Sequence, residues 1–220
     1  MSDKDIFAKV DLCIDVFKQI VLSDDFKKLV SDYSTGEIPR IILSGVGKNW
    51  YICEKIVKTY LSLGIQSEAL DCVHALHGDL GMLMSDEKKL LIFVSKSGNT
   101  EELVKLVKII NTLRKNNIIK NIETVGFYMN TKENIDTTLY DRVILLPEDY
   151  DYTDMPEFDS RNIVPSLSIN TMQLTLDYFG VQIYEARPKL VKNYVYNHLS
   201  GANGRRLGSE KLLEELNKVN

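Results

Sequence analysis

Cysteine is scarce: Cys13, Cys53 and Cys72 are the only three in 220 residues, an odd number with no metal-ligand spacing. They read as reduced thiols packed in a core, which argues against a disulfide-stapled secreted scaffold or a zinc ribbon. Histidine is equally sparse. His74 and His77 lie three apart with Asp79 nearby, too small a set for a required metal, and His198 stands alone near the C-terminus. No apolar run approaches the length of a membrane span. The opening MSDKDIFAKVDL is charged where a secretory leader would be apolar, so a cytoplasmic protein is expected. Basic residues form no track: 27 Lys and Arg are outnumbered by 31 Asp and Glu, for a net charge of −4. Neither nucleic acid nor a membrane surface is expected as a partner. The glycine turns complete neither a Walker loop nor a dinucleotide fingerprint, so no cofactor and no metal is expected. What is present is ordinary for a globular chain, with 44% hydrophobic and 26% charged residues, at a length suited to one α/β domain.

One stretch organises the rest. Leu90-Leu91-Ile92-Phe93-Val94 is apolar without alternation, the pattern of a strand buried on both faces of a parallel sheet. It stops at Ser95-Lys96-Ser97-Gly98-Asn99-Thr100, after which Leu103, Leu106, Val107 and Ile110 recur at helical spacing. A strand that ends in a hydroxyl-rich turn and a helix start points free N–H groups and a positive dipole end at one spot, which suits a phosphate. An ordinary connection capped by Asn99 or Thr100 fits the same residues.

The chain alternates in the same way elsewhere. Ile6, Val10, Cys13, Ile14, Phe17 and Val21 make an apolar helical stripe over residues 3–32, with Ser23-Asp24-Asp25 as an internal stop and cap. A strand over Arg40–Leu43 runs into Gly45-Val46-Gly47-Lys48 and a helix from Asn49 to Ser62. Lys48 is either a solvated lysine or a charge facing a ligand. Further strands are expected over Gln66–Asp71, Ile122–Tyr128 and Arg142–Pro147, with a helix over about Thr100–Asn116. Five strands alternating with helices predict an α/β fold, a doubly wound five-stranded parallel sheet flanked by helices, flavodoxin-like, with its ligand at the carboxyl ends of the strands. Glu148–Asp159 is acidic and tyrosine-rich, a solvated loop. A helix opens at Pro165-Ser166-Leu167-Ser168 and ends near Arg187-Pro188. A final amphipathic helix is expected over about Ser209–Val219.

Four stretches together, GVGKNW from Gly45, HALHGDLGM from His74, SKSGNTEE from Ser95 and NHLSGANGRRL from Asn197, resemble the sugar isomerase (SIS) domains. They look most like the bacterial arabinose-5-phosphate isomerases, in a form without the CBS pair that many members carry. The resemblance implies one SIS domain over residues 1–220: a helical segment over 1–35, a sheet core over about 40–188, and an active-site tail and helix over 189–220. It implies phosphate binding by Ser95, Ser97, Gly98 and Thr100, with Gly45, Gly47 and His77 lining the substrate. It further implies a catalytic set of Lys48, Glu102, Glu157 and His198. The chain departs from the family pattern at Asn49, Lys96, Asn99, Leu199 and Ser200.

Aldose–ketose isomerisation needs a base at C1 and C2, an acid or base at the oxygens and a positive charge for the oxyanion. Carboxylates at Glu102 and Glu157, the imidazole of His198 and the ammonium of Lys48 are of those types, with His198 or Glu157 as the C–H base. The expected substrate is a phosphorylated sugar, most simply the arabinose 5-phosphate and ribulose 5-phosphate pair. A heptose or hexose phosphate isomerase and a non-catalytic sugar-phosphate sensor are the alternatives. The family resemblance and the surplus apolar surface of the terminal helices together predict a homo-oligomer, a tetramer.

Overall fold

The computed structural model describes residues 3–146, 156–161, 163–209 and 211. Five strands form one sheet: β1 (Arg40–Gly45), β2 (Ser67–Ala69), β3 (Lys89–Ser95), β4 (Ile122–Tyr128) and β5 (Arg142–Ile144). Their order is β2-β1-β3-β4-β5 and every pairing is parallel. The α-helices are α1 (Asp3–Leu22), α2 (Asp24–Thr35), α3 (Lys48–Ser62), α4 (Glu101–Lys115), α5 (Leu167–Glu185), α6 (Pro188–Asn193) and α7 (Gly201–Leu207). Parallel neighbours require a crossover: α3 connects β1 to β2 and α4 connects β3 to β4, whereas β2 to β3 and β4 to β5 are joined through short 3-10 turns.

Alternate strand residues go to opposite faces, and the two faces carry separate cores. Ile41, Leu43, Leu90, Ile92 and Val94 join α1, α2, α3 and α5 in one. Ile42, Leu91, Phe93 and α4 form the other. Every residue of β3 is buried, because it is the central strand and both faces are covered. The chain runs outward from β1 to β2, then returns across β1 to β3. The direction of winding therefore reverses between β1 and β3, which leaves a crevice at their carboxyl ends.

Several expectations shift by a residue or a turn. β2 is shorter than predicted, as an edge strand with one neighbour. β5 ends at Ile144 rather than at Pro147, and Pro147 lies outside the described residues. The buried stripe of α1 is Cys13, Val16 and Ile20, while Ile14 and Phe7 are exposed. The helix turns that face toward α5, whose Met172, Leu176, Phe179 and Ile183 complete the same core. Ser23 does separate the first two helices, its hydroxyl accepting from Phe26 N at 3.3 Å. The tail from residue 188 contains two short helices that the sequence pattern did not mark, α6 and α7. The final helix expected after Ser209 and most of the acidic loop over 148–155 lie outside the described residues. All three cysteines are free and buried.

The packing of α5 on α3 depends on Gly180. A Cβ built there would stand 2.5 Å from Cδ1 of Tyr60, whose hydroxyl is fixed by a 2.7 Å bond to the Leu176 carbonyl. Helix propensity alone would make Gly180→Ala stabilising by about 1 kcal/mol. Overpacking against a tethered ring should win and cost about 1–3 kcal/mol. Urea unfolding checks it: a lower midpoint is expected, and an unchanged or higher one would show that Tyr60 gives way.

Candidate active site

The crevice at the winding reversal is bordered by the two turns that the sequence marks. After β1, Gly45 is buried where a Cβ would meet the Asn49 backbone at 3.0 Å, so only glycine lets the chain fold over itself there. Gly47, at φ 61°, begins α3 without a side-chain cap, and Lys48 is the first residue of that helix, exposed at its positive end. Ser44 Oγ donates to the Leu70 carbonyl at 2.6 Å and lies 3.1 Å from Cys72 Sγ, which ties the end of β1 to the exit of β2. Burial pushes the Cys72 thiol up, with the charges of Asp71 and Glu102 adding to the effect. His77 lies on the turn that leaves β2, a single 3-10 turn over His74–His77, exposed at the same end of the sheet.

After β3 the loop is held by its own hydroxyls. Ser95 Oγ accepts from Gly98 N at 3.1 Å and lies 3.2 Å from Thr100 Oγ1. Ser97 Oγ accepts from Asn99 N at 3.2 Å. Asn130 Nδ2 donates to the Ser97 carbonyl at 2.7 Å, and Asn99 Nδ2 to the Asn134 carbonyl at 2.8 Å. Gly98 has φ 70° and a Cβ would meet Ile135 Cδ1 at 2.6 Å, so glycine is required on two counts. Thr100 is the N-cap residue of α4 but makes no side-chain capping bond. Glu101 and Glu102 follow, both exposed in the first turn. The Ser95, Ser97 and Thr100 hydroxyls lie beside the N–H groups at the start of α4, an arrangement of the kind that suits an anion. Lys48 and Glu102 begin the helices that leave the two adjacent strands.

Glu157 is elsewhere in character. Its side chain is fully buried and 2.7 Å from Lys96 Nζ. It also accepts from Ser166 N at 2.7 Å, Ser166 Oγ at 3.1 Å, Ser168 N at 3.3 Å and Ser168 Oγ. Burial pushes its carboxyl up, but the Lys96, Ser168 and Ser166 bonds outweigh burial and hold it below the usual carboxylate range. His198 is far from the crevice within one chain. Its Nδ1 is 3.0 Å from the Tyr194 carbonyl and its ring lies 4.1 Å from that of Tyr194. The neighbouring Asn197 bonds to the Ser62 carbonyl at the far end of α3. Lys48 starts that 15-residue helix, about 22 Å away at 1.5 Å per residue. Lys48, Glu102, Gly45, Gly47, Ser95, Ser97, Gly98, Thr100 and His77 thus share one end of the sheet. Glu157 is sealed behind the loop, and His198 is at the other end. Lys96, Ser166, Ser168 and Asn130 were missed as site residues. Lys96, a cation set between two serines at the end of a buried strand, and the Ser166-Leu167-Ser168 helix start were visible in the sequence, but not their convergence on Glu157.

No family model matches the chain. The Pseudomonas aeruginosa arabinose 5-phosphate isomerase KdsD is 27% identical over 187 residues, covering 84% of this chain and 52% of that protein. An Escherichia coli CFT073 protein solved in complex with arabinose 5-phosphate has a TM-score of 0.63 at 20% identity, over 88% of this chain and 95% of that one. A Bacteroides fragilis protein, proposed as a phosphosugar isomerase involved in capsule formation, has a TM-score of 0.64 at 23% identity, over 88% and 97%. The chain spans about half the length of the curated relatives it matches. At these identities the likeness to solved structures establishes the fold.

The depressed Glu157 carboxyl carries a signed pH dependence. Its contribution to stability is complete above the unfolded value, near 4.3, and is lost as pH falls through the lower folded value. In urea unfolding, the gap between the wild type and Glu157→Gln should be widest near about pH 6 and shrink toward about pH 3. A gap of constant size would show that Glu157 is not ionised in the fold.

Proposed function

We propose that this chain, which has the sugar isomerase (SIS) fold and is similar in sequence to bacterial arabinose 5-phosphate isomerases, interconverts an aldose phosphate and a ketose phosphate. The pair we assign is D-arabinose 5-phosphate and D-ribulose 5-phosphate. The observation that carries the reading is the set of hydroxyls and N–H groups at the start of α4, at the β1–β3 crevice with Lys48 and Glu102. In this reading the phosphate is held by Ser95, Ser97 and Thr100 and by the uncapped N–H groups of α4. Gly45 and Gly47 let the sugar approach the backbone, and His77 meets its distal hydroxyls. A base takes the proton from C2 of the aldose, and the C–H electrons form the enediolate double bond while the carbonyl oxygen gains charge. Return of a proton to C1 completes the ketose with no net oxidation. Lys48 stabilises the oxyanion, a role whose loss typically costs about 10²–10³-fold in kcat. Glu102 carries the proton between the oxygens. His198 serves the crevice of a second copy, since its own lies a helix length away, and the working form is a homotetramer.

That same separation of His198 from the crevice favours the runner-up, a module that binds sugar phosphates without turnover. One experiment separates them. The chelator-treated protein is incubated with ribulose 5-phosphate in deuterated water and followed by NMR. Arabinose 5-phosphate labelled at C2 is expected, and it should be lost in Lys48→Ala, Glu102→Gln and His198→Ala. Ser97→Ala should bind about ten-fold more weakly or worse, as loss of a hydrogen bond to a charged group costs about 1.5–3 kcal/mol. Tight binding with neither turnover nor exchange for pentose, hexose or heptose phosphates would replace the isomerase by the module.

A further inference from the structure

The Glu157 carboxylate, fully buried behind the loop and paired with a partly exposed Lys96, accepts from more donors than a proton-transfer base can tolerate. Glu157 Oε1 accepts from Lys96 Nζ at 2.7 Å and from Ser168 Oγ. Oε2 accepts from Ser166 N at 2.7 Å, Ser166 Oγ at 3.1 Å and Ser168 N at 3.3 Å. A carboxylate offers about four lone-pair sites, so both oxygens are occupied, and the side chain has no exposed surface. A base must present a lone pair to the proton it removes, directly or through one water.

The donors also show what the carboxylate holds. Ser166 and Ser168 open α5, whose own N-cap side chain makes no capping bond. Glu157 therefore fills the N-cap role from nine residues upstream of Ser166, placing negative charge at the positive end of the helix. Lys96 belongs to the loop after β3, between Ser95 and Ser97. Lys9 reaches over from α1 and grips the same segment by the carbonyls of Glu157 at 2.6 Å and Asp159 at 3.0 Å. Loop, helix start and N-terminal helix meet at one carboxylate.

We infer that Lys96 and Glu157 form a positioning pair that ties the phosphate-binding loop to the start of α5, so that Glu157 sets the loop in place and does not touch the sugar. The role of the loop rests on the phosphosugar reading; the tie itself does not. Breaking one half of such a pair strands a buried charge, whereas replacing both halves does not. Lys96 and Glu157 should therefore show non-additive effects.

The test is a cycle of K96M, E157Q and K96M/E157Q in the full chain. It is read as KM and kcat on the sugar phosphate that the wild type turns over, and as affinity for inorganic phosphate by calorimetry. E157Q should raise KM and weaken phosphate binding by about ten-fold or more, with kcat changed only a few-fold, and the double variant should recover most of that loss. A kcat reduced about a hundred-fold at unchanged phosphate affinity, with no recovery in the double variant, would make Glu157 the base and overturn the inference. If E157Q does not fold, K96M/E157L carries the comparison: retained turnover supports the positioning role, and lost turnover with retained phosphate binding overturns it. A wild type that binds phosphate but isomerises nothing defeats the isomerase reading, and the phosphate arm still decides the pair. A wild type that binds no phosphate defeats the phosphosugar reading. Urea midpoints then decide the tie, since a double variant more stable than E157Q supports it and additive losses refute it.

Discussion

A strand buried on both faces can meet polar chemistry only at its ends, and β3 imposes that constraint on this chain. All seven of its residues are buried, and both neighbours are parallel, so backbone and side chains are committed from Lys89 to Ser95. The first N–H groups after it that lie outside the sheet ladder belong to the loop and to the first turn of α4, where the N-cap side chain makes no bond. Gly98 makes the turn possible at φ 70°, and Ser95 and Ser97 satisfy enough of the loop's own donors to hold its shape. The same construction follows β1, with Gly47 at the start of α3. The reversal of winding between these two strands sets the two constructions beside each other, and a crevice with two positive helix ends results.

A helix start left without a side-chain cap has to keep its shape by other contacts. Neither α3 nor α4 receives a side-chain capping bond at its N-cap residue. Rigidity comes from outside the crevice instead. Asn130 holds the Ser97 carbonyl and Asn99 reaches the Asn134 carbonyl, while Lys96 anchors the rear of the loop to Glu157. An ion pair whose carboxylate is fully buried and whose lysine is only partly so is weak evidence for stability and stronger evidence for a fixed arrangement, because desolvation offsets much of its attraction. Among the described residues, bonds from Lys96, Ser166 and Ser168 converge on the Glu157 carboxylate and fix its position.

The distribution of candidate groups over the fold bears on assembly. Lys48 and Glu102 sit at the carboxyl ends of the strands, whereas His198 is tied through Asn197 to the far end of α3. A single chain therefore does not bring the imidazole to the crevice. Apolar side chains of α1 and α5 that remain exposed, including Phe7, Leu174 and Tyr178, lie on the helices that cover one face of the sheet. A surface of that kind is what association with another copy would cover.

The amino-acid pattern by itself determined the elements that local chemistry dictates. The unbroken apolar run of β3, the helical spacing from Leu103, the cap at Ser23 and the glycines at 45, 47 and 98 are each decided within about ten residues, and the fold class follows from their alternation. The two Gly-containing turns were legible for the same reason: a turn needs residues that are local to it. Which face of α1 is buried was not legible, since Ile14 and Val16 are equally apolar and only the position of α5 chooses between them. The role of Glu157 was hidden more deeply. In sequence it is one acid among many, and nothing local distinguishes a carboxylate that faces a sugar from one that faces Lys96, 61 positions away. His198 is the converse case, a residue marked by its motif whose distance from the crevice is fixed only by the length and direction of α3. Partners far apart in the chain are set by how helices lie on the sheet, and that depends on side-chain volumes summed over the whole core rather than on any local pattern.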